Sequence, residues 1–350
     1  MQPGATLRWP AEWEPHEATW LAWPTRESTW PGIFDRIPTA FIRLVETVAR
    51  YEPVWLLIPG GPAGDLPRRR WGDADGIRLL PIDTDDAWVR DYGPIAVLDD
   101  RGTRRLIDFR FNAWGGKYPP WGRDDRAAQR MAAAVGLPAT RLPWVVEGGA
   151  LETDGQGTIV ATTPCLLDRR RNANMTRERM EAILHTWLGA RRIVWLDVMQ
   201  GLVGDDTDGH IDQLVRFVDP QTLVVAHSPD PLDPNHERLT ALRRELDRRV
   251  ARLDRSWEVV PLPIARHVRY GAERLPASYC NFAFVNGAVV VPVFDDPMDD
   301  PALRVLERLV PGRAIEPVPC RDLVWGLGAV HCLTQQLPAP TGQNSITMPS

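Results

Sequence analysis

Apolar runs that end in a turn recur along the whole chain. ATWLAWP begins at Ala18, IAVLDD at Ile95, TIVATT at Thr158, TLVVAHS at Thr222 and AVVVPVF at Ala288, so the starts lie 63 to 77 residues apart. Apolar runs this short, bounded by turn formers, read as strands. Each is followed by a stretch in which apolar residues recur at helical spacing, near Phe34–Tyr51, Asp124–Val135, Thr176–Leu188, Asn235–Leu253 and Asp300–Leu309. VETVARY, MEAILHTWL and LRVLERLV carry that period most clearly and predict amphipathic helices. Thr176 stands where an N-cap would, without the acid three residues on that completes a capping box.

Each helix gives way to a second apolar run (VWLLIP, TRLPWV, RIVWLDV, EVVPLPI, AIEPVP) and then to a polar segment. The chain thus reads as five helix–strand–motif–strand units, a repeat that predicts an α/β fold assembled radially. It closes if ATWLAWP pairs beside the last polar segment. No linker or low-complexity stretch interrupts residues 1–350, so one domain is expected. The Trp/Gly/Pro-rich stretch Phe111–Arg123 is the longest irregular one, expected as a loop over a site.

The polar segments are Asp83–Gly93, Val145–Gly155, Gly204–Leu214, Ala277–Gly287 and Trp325–Gln336. They hold the same place in each unit, so closure would gather them around one axis. Cys332 stands in the last, GLGAVHCLTQQ, in a glycine-rich, polar setting beside His331. Cys165, Cys280 and Cys320 have blander neighbours. A lone cysteine is most often an inert core filler; Cys332 gains its claim as a nucleophile from what converges on it.

In GDDTDGHIDQLVRFV, strand periodicity would put His210, Asp212 and Leu214 on one face. The imidazole could move a proton while the carboxylate holds a cation. The competing readings are a surface turn capped by its aspartates and a divalent-metal site built from Asp197, Asp205, Asp206, Asp208 and Asp212 around one histidine. The sequence has no second acidic, histidine-bearing segment to complete a two-metal centre, so neither metal nor cofactor is expected. Asp91 is either half of a surface pair with Arg90, worth little, or a second carboxylate facing the same cation, with Trp88 as an apolar wall. Glu147, ahead of two glycines, is either a turn acid or the group that orients His210. Asp206 belongs to an acidic set with Asp85, Asp86, Asp205 and Asp208 that would attract a dication and repel a carboxylate.

Two carboxylates, a thiol and an imidazole suit a guanidinium. It is planar and cationic, and opposed carboxylates can grip it through paired charge-assisted hydrogen bonds. Its central carbon then lies open to a thiolate, and loss of ammonia followed by hydrolysis gives a urea-type product without a metal.

Composition narrows the field. A hydrophobic content of 44% and a charged content of 25% are those of a globular protein with a substantial core. The formal net charge of −5 and the short Arg runs at Arg68–Arg70 and Arg169–Arg171, expected as surface or loop anchors, argue against a nucleic-acid partner. Four cysteines without C-x-x-C spacing give no disulfide framework or zinc site. With no apolar leader and no long apolar run, the expectation is a cytoplasmic protein without a membrane partner. Of the 15 tryptophans, Trp9, Trp23, Trp30, Trp114, Trp121 and Trp144 adjoin Pro or Gly and are expected, in part, to line a pocket or interface. A homo-oligomer is left open.

AEWEPHEATWLAWP, DDAWVRDYGP, FNAWGGKY, EGGALETDGQGT, DTDGHID, ASYCNF and HCLTQQ, spread from residue 11 to about residue 338, together resemble the agmatine deiminase / bacterial peptidyl-arginine deiminase family. The resemblance implies the pentein fold, a five-bladed α/β propeller of ββαβ-type units. It also implies Cys332 as nucleophile, His210 as general acid/base, Asp91 and Asp212 as guanidinium ligands and Glu147 as the acid behind the histidine. The substrate it implies is a small guanidino compound, agmatine first, with peptidyl-arginine, free arginine or another guanidino metabolite as alternatives. A metal-dependent guanidino hydrolase and a non-catalytic guanidino-binding protein are the readings from other classes. Gly326-Leu327-Gly328-Ala329 departs from the Gly-Gly-Gly-x common in that family, and a Leu between the glycines would alter backbone freedom or pocket shape near the nucleophile.

Overall fold

The computed structural model describes residues 6–197, 201–253 and 256–341; Val198, the last residue of the expected RIVWLDV strand, lies outside them. Within these residues the chain forms five sheets of three or four strands and one short two-stranded hairpin. The repeated unit is plain in the sheet of Val215–Asp219, Thr222–His227 and Glu258–Pro263. The first pair is antiparallel, with Val215 opposite Val225, and the second is parallel, with Thr222 opposite Glu258. The parallel step needs a crossover, supplied by the helix His236–Val250. The same ββαβ order recurs around helices Arg177–Leu188 and Asp299–Leu309. Thr176 caps the former as expected, its Oγ accepting from the Arg179 N–H, and Gly189 ends it in a left-handed turn.

Closure follows the expected route. His16–Ala22 pairs antiparallel with Gln335–Pro338, setting Thr19 opposite Gln336, and parallel with Val54–Ile58. The two ends of the chain are thereby joined in one sheet.

Two elements differ from expectation. In the second unit the central strand is Arg104–Arg110, not Ile95–Leu98, which forms an edge. RRLIDFR hides its strand character because two of its polar side chains, Arg104 and Asp108, are buried against charged partners. Arg104 meets Glu17 at 2.6 Å and Asp108 meets Arg141 at 2.7 Å. The first sheet also gains a fourth strand, Ile77–Pro81, delivered by the short helix Asp65–Trp71, so the polar segment at Asp83 follows this strand rather than Val54–Ile58.

One apolar cluster joins residues such as Trp20, Phe41, Phe217, Phe284 and Val290, and a second gathers Ile107, Ile159, Leu184 and Trp195. Charge is buried as well: Glu12, Arg90, Glu152 and Arg216 are all enclosed, and Arg216 donates to both Glu12 and Glu152. Among the described residues no helix is long and apolar enough to cross a membrane.

Candidate active site

The five polar segments meet, each contributing to one small volume. The Asp91 carboxylate lies 3.6 Å from His210 Nδ1, and Glu147 lies 3.9 Å from His210 Nε2. Asp212 Oδ2 is 3.5 Å from the Cys332 Sγ, and the Asn281 side-chain amide donates to the same sulfur at 3.1 Å. Gly149 explains how the groups approach so closely. A Cβ there would stand 2.7 Å from His210 Nδ1, 2.8 Å from Asp91 Oδ1 and 3.0 Å from Asp212 Oδ2. Its N–H donates to Asp91 Oδ1 at 3.0 Å. Gly328 does the same for the thiol, since a Cβ there would press within 2.4 Å of the Trp88 ring and 3.0 Å of the Cys332 Cβ.

His210 and Asp212 do not sit on a strand. A 3₁₀ turn spans Ile211–Gln213, and the strand begins only at Val215. The turn is set by Asp205, whose carboxylate accepts from the Thr207 hydroxyl and the Gly209 N–H, and by the Thr207 Oγ, which accepts from the His210 N–H. Asp208 and Gly209 both take positive φ to make the bend. The acids of this segment therefore serve different partners. Asp205 braces the turn, Asp206 accepts from the Tyr118 hydroxyl, and Asp208 pairs with Lys117, Arg170 and Arg171.

His331, the neighbour of Cys332, points away from the thiol. Its Nδ1 meets Asp212 at 2.8 Å and its Nε2 meets Glu12 at 2.9 Å. Glu12 in turn accepts from Arg216 at 2.6 Å. Arg90 is no surface partner of Asp91; it is buried, bonded to the His331 carbonyl and the Gln336 side chain. Asp91 instead accepts from the Trp114 indole N–H at 3.0 Å. The loop expected at Phe111–Arg123 does cover the site. Asn112 holds it by accepting from the Gly115 N–H, while Ala113 and Trp114 adopt left-handed backbone.

A cavity of about 370 Å³ opens above these groups, walled by Cys332, Asp91, Trp88, Trp114, Tyr118 and Asp206 among others. His210, Asp212 and Glu147 stand behind the wall, almost without exposure. Of the tryptophans expected at a pocket for adjoining Pro or Gly, Trp114 lines this one; Trp30 packs behind Trp88 with ring centroids 5.5 Å apart. The mouth is not purely acidic. Arg26 and Arg274 line it along with Asp86, Asp206 and Glu273.

Burial and neighbouring charge set the protonation states. Burial raises the Cys332 thiol well above its ordinary value, and the anions of Asp212 and Asp91 raise it further. Burial also raises Asp91 to about 6, with Asp212 and Glu147 adding to the effect and His210 opposing it. Glu147 is lowered to about 2, because Arg171 and His210 outweigh its burial. Burial works against a charged His210, yet the flanking Asp91, Cys165 and Glu147 hold it well above the usual histidine range. Both directions favour a neutral thiol near a charged imidazole.

Among the described residues, Glu147, Cys165 and His210 form a cluster whose donor atoms lie within 4.8 Å of one another, the kind of set that could hold a metal. Both Glu147 oxygens, however, already accept from Arg171 Nε at 2.9 Å. A guanidinium bound there repels a second cation and takes the carboxylate that would have to neutralise it.

The model of the Porphyromonas-type peptidyl-arginine deiminase family matches residues 8–338. The chain belongs to this family. Its similarity to agmatine deiminases is extensive: it is 38% identical to that of Ectopseudomonas mendocina, across 95% of this chain and 96% of the relative. The same identity holds against the agmatine deiminase of Pseudomonas aeruginosa strain LESB58, again across 95% and 96% of the two chains. Among solved structures, the agmatine deiminase of C. jejuni with substrate bound superposes with a TM-score of 0.88 at 26% identity, covering 97% of this chain and 98% of the other. That of Enterococcus faecalis superposes with a TM-score of 0.87 at 28% identity, covering 96% and 97%.

In this member of the peptidyl-arginine deiminase family, the structure brings together Asp91, Glu147, His210, Asp212 and Cys332, and sets Trp88 and Asp206 on the cavity wall. Sequence reasoning passed over Asn281, Cys165 and Arg171. Asn281 lay in the one polar segment from which no candidate was drawn. Arg171 lay in an Arg run expected at the surface, and its side chain is fully buried. No periodicity could have separated it from the exposed Arg169 and Arg170.

Proposed function

We propose that this protein is a guanidino-group hydrolase that converts agmatine and water to N-carbamoylputrescine and ammonia. The observation that carries the reading is the thiol of Cys332 on a cavity wall, flanked by Asp91 and Asp212, with a protonated His210 behind them. Asp212 Oδ1 is buried without a hydrogen-bond partner, an acceptor suited to a guanidinium N–H. As the guanidinium binds between the two aspartates, its charge offsets theirs and the thiol releases its proton to solvent. The thiolate then attacks the central carbon. One amino group leaves as ammonia with a proton from His210, and an amidino group remains on sulfur. Neutral His210 takes a proton from water as the oxygen adds to that carbon. Collapse breaks the C–S bond, and the sulfur recovers a proton from the new hydroxyl as the ureido product forms. Glu147 stabilises the imidazolium, and Trp88 and Trp114 enclose the alkyl chain. The solvent proton and ammonia together make ammonium, so the equation balances without a metal.

Agmatine is favoured by the 38% identity to agmatine deiminases and by the acids Asp206, Asp86 and Glu273 at the mouth, which suit a distal ammonium. Arg26 and Arg274 in the same lining are what an α-carboxylate would need, and they make free arginine the competitor. In this reading the chain acts as one catalytic domain, and its four free, buried cysteines suit the cytoplasm. Ammonia release measured across agmatine, arginine, an arginyl peptide and other guanidines tests it. The highest kcat/KM is expected for agmatine, and Cys332→Ala should show no turnover while Cys280→Ala and Cys320→Ala remain active. Faster turnover of arginine or the peptide overturns the substrate; turnover by Cys332→Ala overturns the mechanism.

A further inference from the structure

Arg171 is a buried cation that touches neither the cavity nor the thiol. Its side chain is fully buried, as is that of Glu147, to which Nε donates at 2.9 Å on both carboxylate oxygens. Nη1 donates to Asp208 at 2.7 Å, and Nη2 to the Thr207 carbonyl at 2.9 Å. Thr207 and Asp208 belong to the turn that presents His210, whose N–H is held by the Thr207 hydroxyl. Asp208 also accepts from Lys117, which stands on the loop that carries Trp114 and Tyr118 over the cavity. One guanidinium thus ties together the acid behind the histidine, the turn that carries the histidine and, through Asp208, the loop above the site. A planar fork with fixed donor directions can hold three partners in one arrangement; an ammonium on a flexible stem cannot.

We propose that Arg171 is a positioning residue that fixes the Glu147 carboxylate against His210 and locks the His210 turn to the Trp114–Tyr118 loop. This rests on the deiminase reading for its effect on turnover, and on geometry alone for its effect on His210. Without Arg171, Glu147 would sit buried with only the imidazole to offset its charge, and would take up a proton instead. His210 would then face Asp91 at 3.6 Å and the Cys165 sulfur without the Glu147 anion, and titrate at lower pH. If protonated His210 supplies the proton to the leaving nitrogen, the alkaline limb of the kcat profile moves to lower pH.

The test uses Arg171→Met, Arg171→Lys, Glu147→Gln and the double variant Arg171→Met/Glu147→Gln in the full chain. NMR titration of the His210 ring gives a readout that needs no substrate. The expected result is a lower midpoint for His210 in Arg171→Met, a partial return in Arg171→Lys, and a kcat loss of ~10²-fold, the lower end of what proton-transfer groups contribute. The double variant should lose little beyond Glu147→Gln, because both changes remove one unit. If Arg171→Met does not fold, Arg171→Lys carries the test, since it keeps the charge and loses the fork. An unmoved His210 midpoint, or losses that multiply in the double variant, overturns the proposal. A chain in which His210 responds as expected yet no guanidine is turned over leaves Arg171 in its role and overturns the deiminase reading instead.

Discussion

His331 and His210, both buried beside carboxylates, are held in opposite ways. His331 has each ring nitrogen committed, to Asp212 at 2.8 Å and to Glu12 at 2.9 Å, and Glu12 is itself fixed by Arg216. His210 has neither nitrogen in a hydrogen bond among the described residues; its carboxylates stand off at 3.6 and 3.9 Å. A saturated imidazole is a structural joint, whereas one with strong fields nearby and free nitrogens can pick up and release a proton. The sequence shows His331 only as the neighbour of Cys332 and gives the proton-transfer role to His210. His331 braces the Asp212 carboxylate beside the sulfur, and the proposed proton transfer falls to His210.

The largest effects should separate these two residues. His210→Ala is expected to lose ~10²–10⁴-fold in kcat, the range for a general acid–base group, while remaining folded. His331→Ala leaves Asp212 and Glu12 each short of a buried hydrogen-bond partner and should lose ~1–3 kcal/mol of stability for each acceptor left unsatisfied. Steady-state rates and denaturant melts on both variants check the contrast. It collapses if His210→Ala keeps more than a tenth of the rate, or if His331→Ala melts like the parent.

Next in size is the state of the thiol. Burial and two nearby anions raise the Cys332 pKa, so alkylation by a small neutral reagent should be slow at pH 7 and climb steadily beyond pH 9. Asp91→Asn or Asp212→Asn removes one anion and should speed alkylation at neutral pH. A rate already at its plateau at pH 7 would mean a standing thiolate, with His210 as its permanent partner.

Asp91 offers a smaller test with a definite sign. Its folded pKa, about 6, lies above the ordinary carboxylate value, so ionising it costs stability. That cost is absent below the unfolded pKa, builds as pH rises towards 6 and is constant above. Asp91→Asn should therefore melt higher than the parent at pH 8 and equally at pH 4. A full shift of this kind is worth ~2–3 kcal/mol. The gain should be smaller, ~1–2 kcal/mol, because the Trp114 N–H would then face an amide donor. Equal melting at pH 8 would show that the carboxylate is not strained, while higher stability without activity would mark a site built for a cation.

How much was legible follows from what each feature depends on. The five-unit order, the closing pair of strands and the Thr176 cap follow local rules of period and turn chemistry, and the sequence displays them directly. The strand Arg104–Arg110 was missed because its buried Arg104 and Asp108 are satisfied by Glu17 and Arg141, partners 87 and 33 residues away in the sequence. His210 and Asp212 were expected as neighbours through strand periodicity, yet a 3₁₀ turn is what presents them. Arg171 and Asn281 acquire meaning only through distant partners, Glu147 and Cys332. Tertiary pairing of polar groups is the part that residue patterns do not carry.

The smallest expected effect concerns Leu327, on the bridge between the two histidine neighbourhoods. Its carbonyl accepts from Gln213 Nε2 at 3.2 Å, linking the segment of His331 and Cys332 to that of His210 and Asp212. Its backbone is left-handed, with φ 72 and ψ 6, and its side chain reaches the cavity wall. A branched side chain in that conformation costs roughly 1–2 kcal/mol. Leu327→Gly removes the strain but also frees the unfolded chain and deletes an apolar contact, so a net gain of at most ~1 kcal/mol is expected. The carbonyl bond to Gln213 survives, so kcat should stay within about twofold while KM for the guanidine rises a few-fold as the wall recedes. A drop in melting temperature would show that packing by the leucine outweighs the strain. A large fall in kcat would mean that the bridge itself, rather than the two histidines it joins, sets the alignment of the thiol.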